Sequence, residues 1–259
     1  MKPLYGKIAV VTGVSRSTGI GTAICLSLAD AGADIFFTHW TPFDKVEGKG
    51  AEEYWPKILK KKLEKLGVRV GHMQIDLEDE KSPSKLLDIV ENKFGTPSIL
   101  INNATYESPS SFHSLNADIL DKHYKINNRG TIMLSLEFAR RFEKRFPEGK
   151  NGRIINLVSG GPDPNNLAYI ATKGLLISIT EPLAVALAPI GITVNCVNPG
   201  PTDSGWMNDP IKKHLLPLFP TGRIGMPEDA AKIIKFLASE ESGWITGQLI
   251  RSDGGFIGR

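Results

Sequence analysis

The chain has little cysteine, no large surplus of charge of either sign and no long hydrophobic run, and each shortage closes a class of function. Its two cysteines, Cys25 and Cys196, stand far apart among 259 residues, each inside an apolar stretch, with no CxxC pair and no histidine-rich neighbour. That excludes a disulfide framework, supports no metal site, and predicts two buried free thiols in a reducing cytoplasm. Lysine and arginine number 31 against 28 aspartates and glutamates, a net charge of +3. So mild an excess suits small anionic ligands and argues against a nucleic-acid-binding face. The first apolar run stops at Gly13, too soon for a signal-peptide core or a membrane span, and no other segment is expected to reach spanning length. No linker, charge block or internal repeat divides the chain, so residues 1–259 read as one domain.

What is present is an alternation. Apolar runs of strand length fall at 7–12, 34–38, 68–75, 98–102, 152–158, 192–197 and 248–251. Helical periodicity fills 19–31, 51–66, 84–94, 115–146, 167–188 and 227–239. Runs as apolar as IAVV and ITVNCV suit a sheet covered on both faces, and crossovers of helix length make its strands parallel. The expectation is an α/β, Rossmann-like doubly wound fold: seven parallel strands, helices on both faces, and a ligand beyond the carboxyl ends of the strands. The crossover over 41–66 is long, and its KILKKKLEKL is a basic amphipathic segment with a solvated face. Pro182, inside the helix predicted over 167–188, should bend it or mark an irregular turn.

The stretch TGVSRSTGIG, residues 12–21, follows the first strand and opens a helix. A glycine turn leading into a helix N-terminus presents N–H groups and the positive end of the dipole to a phosphate. Gly13 would allow the tight turn, while Gly19 and Gly21 would let a pyrophosphate and the next strand come close. Ser15 and Arg16 add a hydroxyl and a guanidinium fork suited to a further phosphate. An NAD enzyme usually carries an acid at the end of the second strand. Here that end reads Phe37-Thr38-His39-Trp40, without a carboxylate. The reading is NADP(H), with NAD(H) second.

Tyr169 and Lys173 stand at i and i+4, on one helix face. An ammonium beside a phenol favours phenolate and should lower the tyrosine pKa, making Tyr169 a general acid or base. Ser159, ending the strand IINLVS, can bond the same substrate oxygen.

These motifs, with Asp76 after the third strand, INNA (101–104), Asn127 of KINNRG, NPGPTD (198–203) and GQLIRSDGG, occur in one order over nearly the whole chain. In that set the chain resembles the short-chain dehydrogenase/reductase family, within it the 3-oxoacyl-acyl-carrier-protein reductase-like group. The resemblance implies that Gly13, Ser15, Arg16 and Ile20, with Gly19, line the pyrophosphate and the adenosine ribose phosphate. It places Asp76 and Leu77 at the adenine, Asn103, Ala104 and Thr105 along the ribose, and Pro199, Gly200 and Thr202 at the nicotinamide. It makes Tyr169 the proton donor, Lys173 the ribose-binding residue that tunes it, Ser159 the orienter of the carbonyl, and Asn127 the holder of a water that resupplies protons. It further implies a small-molecule carbonyl substrate, a homotetramer packed through the two longest helices, and a substrate lid over 201–222. In that lid Trp206, Met207, Leu215, Leu216, Leu218 and Phe219 would meet substrate or a neighbouring subunit.

Three departures bear on that picture. Five residues separate Gly13 from Gly19, more than the family's usual loop. That length resembles the enoyl-reductase offshoot, whose tyrosine and lysine are spaced further apart than here. Ser17 and Thr18 of the insert are candidate contacts for the 2′-phosphate. The family's NNAG reads NNAT, with β-branched Thr105 asking for strand-like angles. Finally, SGGPDPNNLAY is a shortened wall of the substrate pocket, whose Asp163, Asn165 and Asn166 would make it polar and open to bulky ketones. Two alternatives stand beside a carbonyl reductase: a fatty-acid-synthesis reductase docking its carrier on the basic helix end ARRFEKR, and a non-catalytic NADP(H)-binding regulator.

Overall fold

Strands such as IAVV lose nothing to water only if both faces are covered, and in the structure both are. The computed structural model describes residues 2–46, 51–149 and 151–258. Strands β1 (Ile8–Val11), β2 (Asp34–His39), β3 (Val70–Gln74), β4 (Ile99–Asn102), β5 (Gly152–Leu157), β6 (Ile192–Asn198) and β7 (Leu249–Arg251) form one sheet in the order β3-β2-β1-β4-β5-β6-β7. Every pairing is parallel, with Val11 opposite both Phe37 and Ile101. Alternate strand residues face opposite layers. Val11, Phe37 and Ile101 pack with α1 (Ile20–Asp30), α3 (Trp55–Glu64) and α9 (Pro227–Ala238). Val10, Phe36 and Leu100 pack with α4 (Ser82–Phe94), α6 (Thr131–Arg145) and α7 (Leu167–Leu187). The winding order reverses between β1 and β4, which opens a crevice at their carboxyl ends. Cys25 and Cys196 are buried free thiols.

Four details depart from the sequence reading. The helix expected over 115–146 is α5 (Ala117–His123), a π-helical turn (Tyr124–Gly130) and then α6. The wide turn contains Asn127 and Asn128, both buried, and such turns collect at functional sites. The second crossover holds an unexpected short helix, α2 (Thr41–Val46), before α3; residues 47–50 of that crossover lie outside the described residues.

Third, no irregular turn marks Pro182. Helix α7 runs through it, because Pro182 and Ser178, whose carbonyl loses its donor, both lie on the exposed face, where water can bond that carbonyl. Fourth, the 24-residue run Leu167–Ile190 is long and apolar enough to cross a membrane, contrary to expectation. In this fold one face of α7, with Ala168, Thr172, Lys173, Leu176, Thr180 and Leu183, is buried against its neighbours instead.

Candidate active site

The crevice is a cavity of about 1220 Å³ running along the carboxyl ends of the strands. It is lined at one end by Gly13, Ser15, Arg16, Gly19 and Ile20, and at the other by Ser159, Tyr169 and Lys173. Asp76, Leu77, Asn103, Ala104, Thr105, Pro199, Gly200 and Thr202 line it between. The residue types suit a dinucleotide, and the loop passes a geometric test for one. Gly13 has φ +74°, and a Cβ there would lie 2.5 Å from the Ala104 Cα. A Cβ on Gly21 would lie 2.8 Å from Asn103 Nδ2, so only glycines let loop and strand end meet. Asn103 holds that contact by donating from Nδ2 to the carbonyls of Thr12 and Gly13, both at 2.9 Å. The N-cap of α1, Gly19, has no side chain to satisfy the N–H groups of the first turn, which leaves them for an anion.

At the Tyr169 end three elements converge: the end of β5 with Ser159, the first turns of α7, and the loop after β4. Tyr169, Ser159 and Thr105 line the cavity together there. Lys173 is buried, and its Nζ donates to the Leu157 carbonyl at 2.8 Å while lying 5.6 Å from the Tyr169 ring centroid. The expected lowering of the Tyr169 pKa is not what this geometry gives. Burial, and after it Glu107, pushes the phenol up; the nearby hydroxyls of Ser159 and Thr105 oppose them. Burial draws Lys173 itself down to about 8, opposed by Cys196 and Glu107. The reason is positional: the ammonium spends its described bond on a main-chain oxygen, and its approach to Tyr169 is to the ring.

Asn127 does not line the cavity but stands behind it. Its Oδ1 accepts from Thr105 Oγ1 at 3.1 Å and from the Tyr106 N–H at 2.7 Å. Its Nδ2 donates to the Tyr106 carbonyl at 2.9 Å and to Thr172 Oγ1 at 3.1 Å. The amide thus clamps the loop after β4 to α7. No non-glycine described residue has positive φ, so Thr105 sits in ordinary backbone, as its branched side chain requires.

The Arg16 end differs from the sequence reading in two ways. Ser17 and Thr18 do not reach the cavity. The N–H and Oγ of Ser17 both donate to Glu52 Oε1 at 3.0 Å, and Thr18 Oγ1 donates to the Ser204 carbonyl at 3.2 Å. The insert therefore ties the loop to the approach of α3 and to the lid segment. A carboxylate is also present after all. Short helix α2 brings Asp44, buried, into the cavity wall that Ser15 and Arg16 also line. Burial holds its pKa above the usual carboxylate value, against those two partners. Beside it His39, pushed down to about 4 by burial and by His72, is neutral, and its Nδ1 is buried without a partner among the described residues.

The wall over 160–166 lines the cavity through Gly160, Gly161, Pro162, Asp163, Asn165 and Asn166. It is tied to the loop after β4, where the Ser110 N–H donates to the Asn165 carbonyl at 2.7 Å and Asn166 Nδ2 donates to Glu107 Oε1 at 2.7 Å. In the lid only Trp206 and Leu215 of the six apolar candidates line the cavity, joined by Ile211 and His214 of α8 (Asp209–Leu215). Met207 and Phe219 are buried, the latter packed on Phe256 with centroids 4.9 Å apart, and Leu216 is exposed. Glu107 is a cavity residue that the sequence reading missed; its place two residues beyond Thr105 was the available signal.

Residues 13–257 match the family model described as enoyl-(acyl carrier protein) reductase. The chain is 49% identical over 254 residues to the uncharacterized oxidoreductase YjdA of Bacillus subtilis (strain 168), covering 97% of each. It is 33% identical to NADPH-dependent aldehyde reductase 2, chloroplastic, of Arabidopsis thaliana, covering 98% of this chain and 95% of that one. It is 32% identical to the 3-oxoacyl-[acyl-carrier-protein] reductase FabG of Aquifex aeolicus (strain VF5), covering 98% of each. Among solved structures, a blue fluorescent protein from a metagenomic library in complex with NADPH superposes with a TM-score of 0.84 at 29% identity, over 98% of this chain and 99% of that one. The chain belongs to the short-chain dehydrogenase/reductase family and is an oxidoreductase of that type.

Proposed function

We propose that the protein is an NADPH-dependent carbonyl reductase that converts a ketone or 3-oxoacyl carbonyl to the alcohol, reversibly. One observation carries the reading: Ser159, Tyr169 and Lys173 meet at one end of a cavity whose other end is an uncapped, glycine-built helix N-terminus. NADP(H) would be held by Gly13, Ser15, Arg16, Gly19 and Ile20, by Asp76 and Leu77, by Asn103, Ala104 and Thr105, and by Pro199, Gly200 and Thr202. When bound it supplies the hydride that adds to the carbonyl carbon. The C=O electron pair moves to oxygen, which Ser159 orients by a hydrogen bond and to which Tyr169 gives its proton. Lys173, still mostly cationic at neutral pH with a pKa of about 8, offsets the negative charge left on the phenol. Asn127 positions this group by fixing the loop that carries Thr105. The NADPH-dependent aldehyde reductase relative and the NADPH-bound structural neighbour support the cofactor choice.

The FabG relative favours a carrier-bound substrate, but the charge distribution favours a free one. The basic end of α6 leads into the amino end of β5, on the edge of the sheet away from the cavity. Arg141 there is engaged by Asp88, Glu91 and Glu137. A carrier docked on that patch would not face Tyr169. We place the protein in the cytoplasm as a homotetramer, a reading supported by exposed Met133 on α6 and Leu175 and Val185 on α7.

The test is Tyr169→Phe, assayed with NADPH against small ketones, bulky ketones and 3-oxoacyl thioesters. Loss of a positioned acid should lower kcat by about 10²–10⁴-fold while NADPH binding, followed by its fluorescence, is unchanged. Near wild-type turnover by that variant would overturn the reading.

A further inference from the structure

We propose that Thr18, in the insert of the glycine-rich loop, is a positioning residue for the carbonyl substrate: it holds the turn that sets Trp206 in the cavity wall. The inference rests on the reductase reading above and adds to it a residue outside the cavity.

The turn lies between two anchors. On its amino side Thr202 forms a parallel bridge with Gly225, and the Asp203 N–H donates to the Gly225 carbonyl at 2.8 Å. On its carboxyl side Asn208 caps α8, its Oδ1 accepting from the Ile211 N–H at 3.0 Å. Between them the Ser204 N–H donates to the Thr202 carbonyl at 2.9 Å, and the Gly205 N–H to Asp203 Oδ1 at 3.4 Å. Local bonds of this kind fix the shape of a turn but not its place. Thr18 fixes the place: its Oγ1 donates to the Ser204 carbonyl at 3.2 Å, across 186 positions of sequence. Gly205 is suited to that contact. Its φ is +89°, and a Cβ there would lie 2.6 Å from Thr18 Oγ1, so only glycine lets the two segments come this close.

Thr18 is itself a firm post. Beside it, the N–H and Oγ of Ser17 donate to Glu52 Oε1 at 3.0 Å. The Arg16 carbonyl accepts from the Gly19 N–H at 3.2 Å and from Thr22 Oγ1 at 2.7 Å, and Thr22 Oγ1 accepts from Trp55 Nε1 at 2.9 Å. The loop is thus pinned to α1 and α3. What it holds is Trp206, the residue after Gly205. Trp206 Nε1 donates to the Thr202 carbonyl at 2.8 Å, which folds the indole back over the turn, and Trp206 lines the same cavity as Ser159 and Tyr169. Thr18 is not among the residues lining it. Removing its hydroxyl leaves the reacting groups in place and loosens a wall against which the substrate rests. The signature is weaker substrate binding without slower chemistry.

The experiment measures kcat and KM for acetophenone and for ethyl acetoacetate, at saturating NADPH, in the wild-type protein, Thr18→Val, Thr18→Ser, Trp206→Ala and the double variant Thr18→Val with Trp206→Ala. Thr18→Val should raise KM about 2–10-fold, the range for one neutral hydrogen bond, with kcat held. Thr18→Ser, which keeps the donor, should restore KM. In the Trp206→Ala background Thr18→Val should raise KM no further, because the side chain it positions is gone. Amide exchange over 203–207, followed by mass spectrometry in the NADPH complex, should quicken in Thr18→Val and not in Tyr169→Phe. A Thr18→Val protein with the wild-type KM, or a rise in KM that adds in full to that of Trp206→Ala, would overturn the proposal and leave the reductase reading intact. So would a loss confined to NADPH affinity, since Thr18 would then serve the cofactor. Wild-type turnover by Tyr169→Phe, or no turnover of either ketone by the wild-type protein, would instead remove the reductase reading. The exchange comparison then decides alone, and equal rates in the wild-type protein and Thr18→Val would overturn the hold on the turn.

Discussion

The two ends of the cavity each pair a cation with hydroxyl groups, and they treat the nearby carboxylate in opposite ways. At the Tyr169 end the carboxylate is Glu107, an exposed residue held at the rim by Asn166 at 2.7 Å, while Lys173 is buried against a main-chain carbonyl. At the Arg16 end the carboxylate is Asp44, buried in the wall that Ser15 and Arg16 share. The first end therefore keeps its positive charge for an oxygen that becomes negative during reaction. The second sets a carboxylate in the same wall as its cation, so an incoming phosphate meets a like charge there. Preorganised donors act most strongly where no competing anion has to be displaced. Chemistry belongs to the end with the uncompensated cation, and cofactor selection to the end where an incoming phosphate must compete.

Lys173→Met attacks the first end and should have the largest effect. Losing the buried charge that balances a phenolate should cost about 10²–10³-fold in kcat, within the range for acid–base groups. The sign with pH follows from the depressed lysine pKa: the wild-type reduction rate should fall as pH rises through about 8, where Lys173 loses its proton. That limb should vanish in the variant, and a pH series of kcat in the reductive direction checks both. Arg16→Ala attacks the other end. A charged hydrogen bond to a 2′-phosphate is worth about 1.5–3 kcal/mol, so NADPH affinity should drop about 10–100-fold with NADH little changed. Equal losses for the two dinucleotides would mean that Arg16 holds the pyrophosphate, and the contrast between the ends would lose its basis.

The same contrast explains how much could be read from the sequence. Strands and their parallel order follow from apolar runs separated by helix-length crossovers, and Tyr169 and Lys173 announce themselves because one helical turn separates them. The Arg16 end is assembled from pieces with no such local pattern. Helix α2 spans six residues, too few for a periodic signal, yet it delivers Asp44 to a strand end that looked free of acid. Ser17 and Thr18 looked like phosphate contacts until the fold supplied partners 35 and 186 positions away. The π-helical turn was hidden for a related reason: its residues fit a continuous helix, and only packing against Thr105, Tyr106 and Thr172 shows where the helix widens. Thr105 itself was legible as a departure from glycine, but its partner Asn127 lies on another element.

Asp44→Asn should have the smallest effect and is the most direct test of why the two ends differ. An ionised Asp44 competes with a 2′-phosphate for Ser15 and Arg16 and repels it, whereas the ribose hydroxyls of NADH suffer no such repulsion. Removing the charge while keeping the shape should therefore raise the NADPH-to-NADH ratio of kcat/KM by about 3–10-fold, the size of a partly screened charge pair. The pH dependence has a definite sign. Because burial raises the Asp44 pKa, the carboxyl gains its proton as pH falls, earlier than an exposed aspartate would. The wild-type ratio should then climb toward that of Asp44→Asn at acid pH, and the gap between the two proteins should be widest where Asp44 is ionised. Dividing one ratio by the other removes titration of the phosphate itself, which both proteins share. A variant with an unchanged ratio at every pH would show that Asp44 turns away when the dinucleotide binds, and that the Arg16 end is as free of competition as the Tyr169 end.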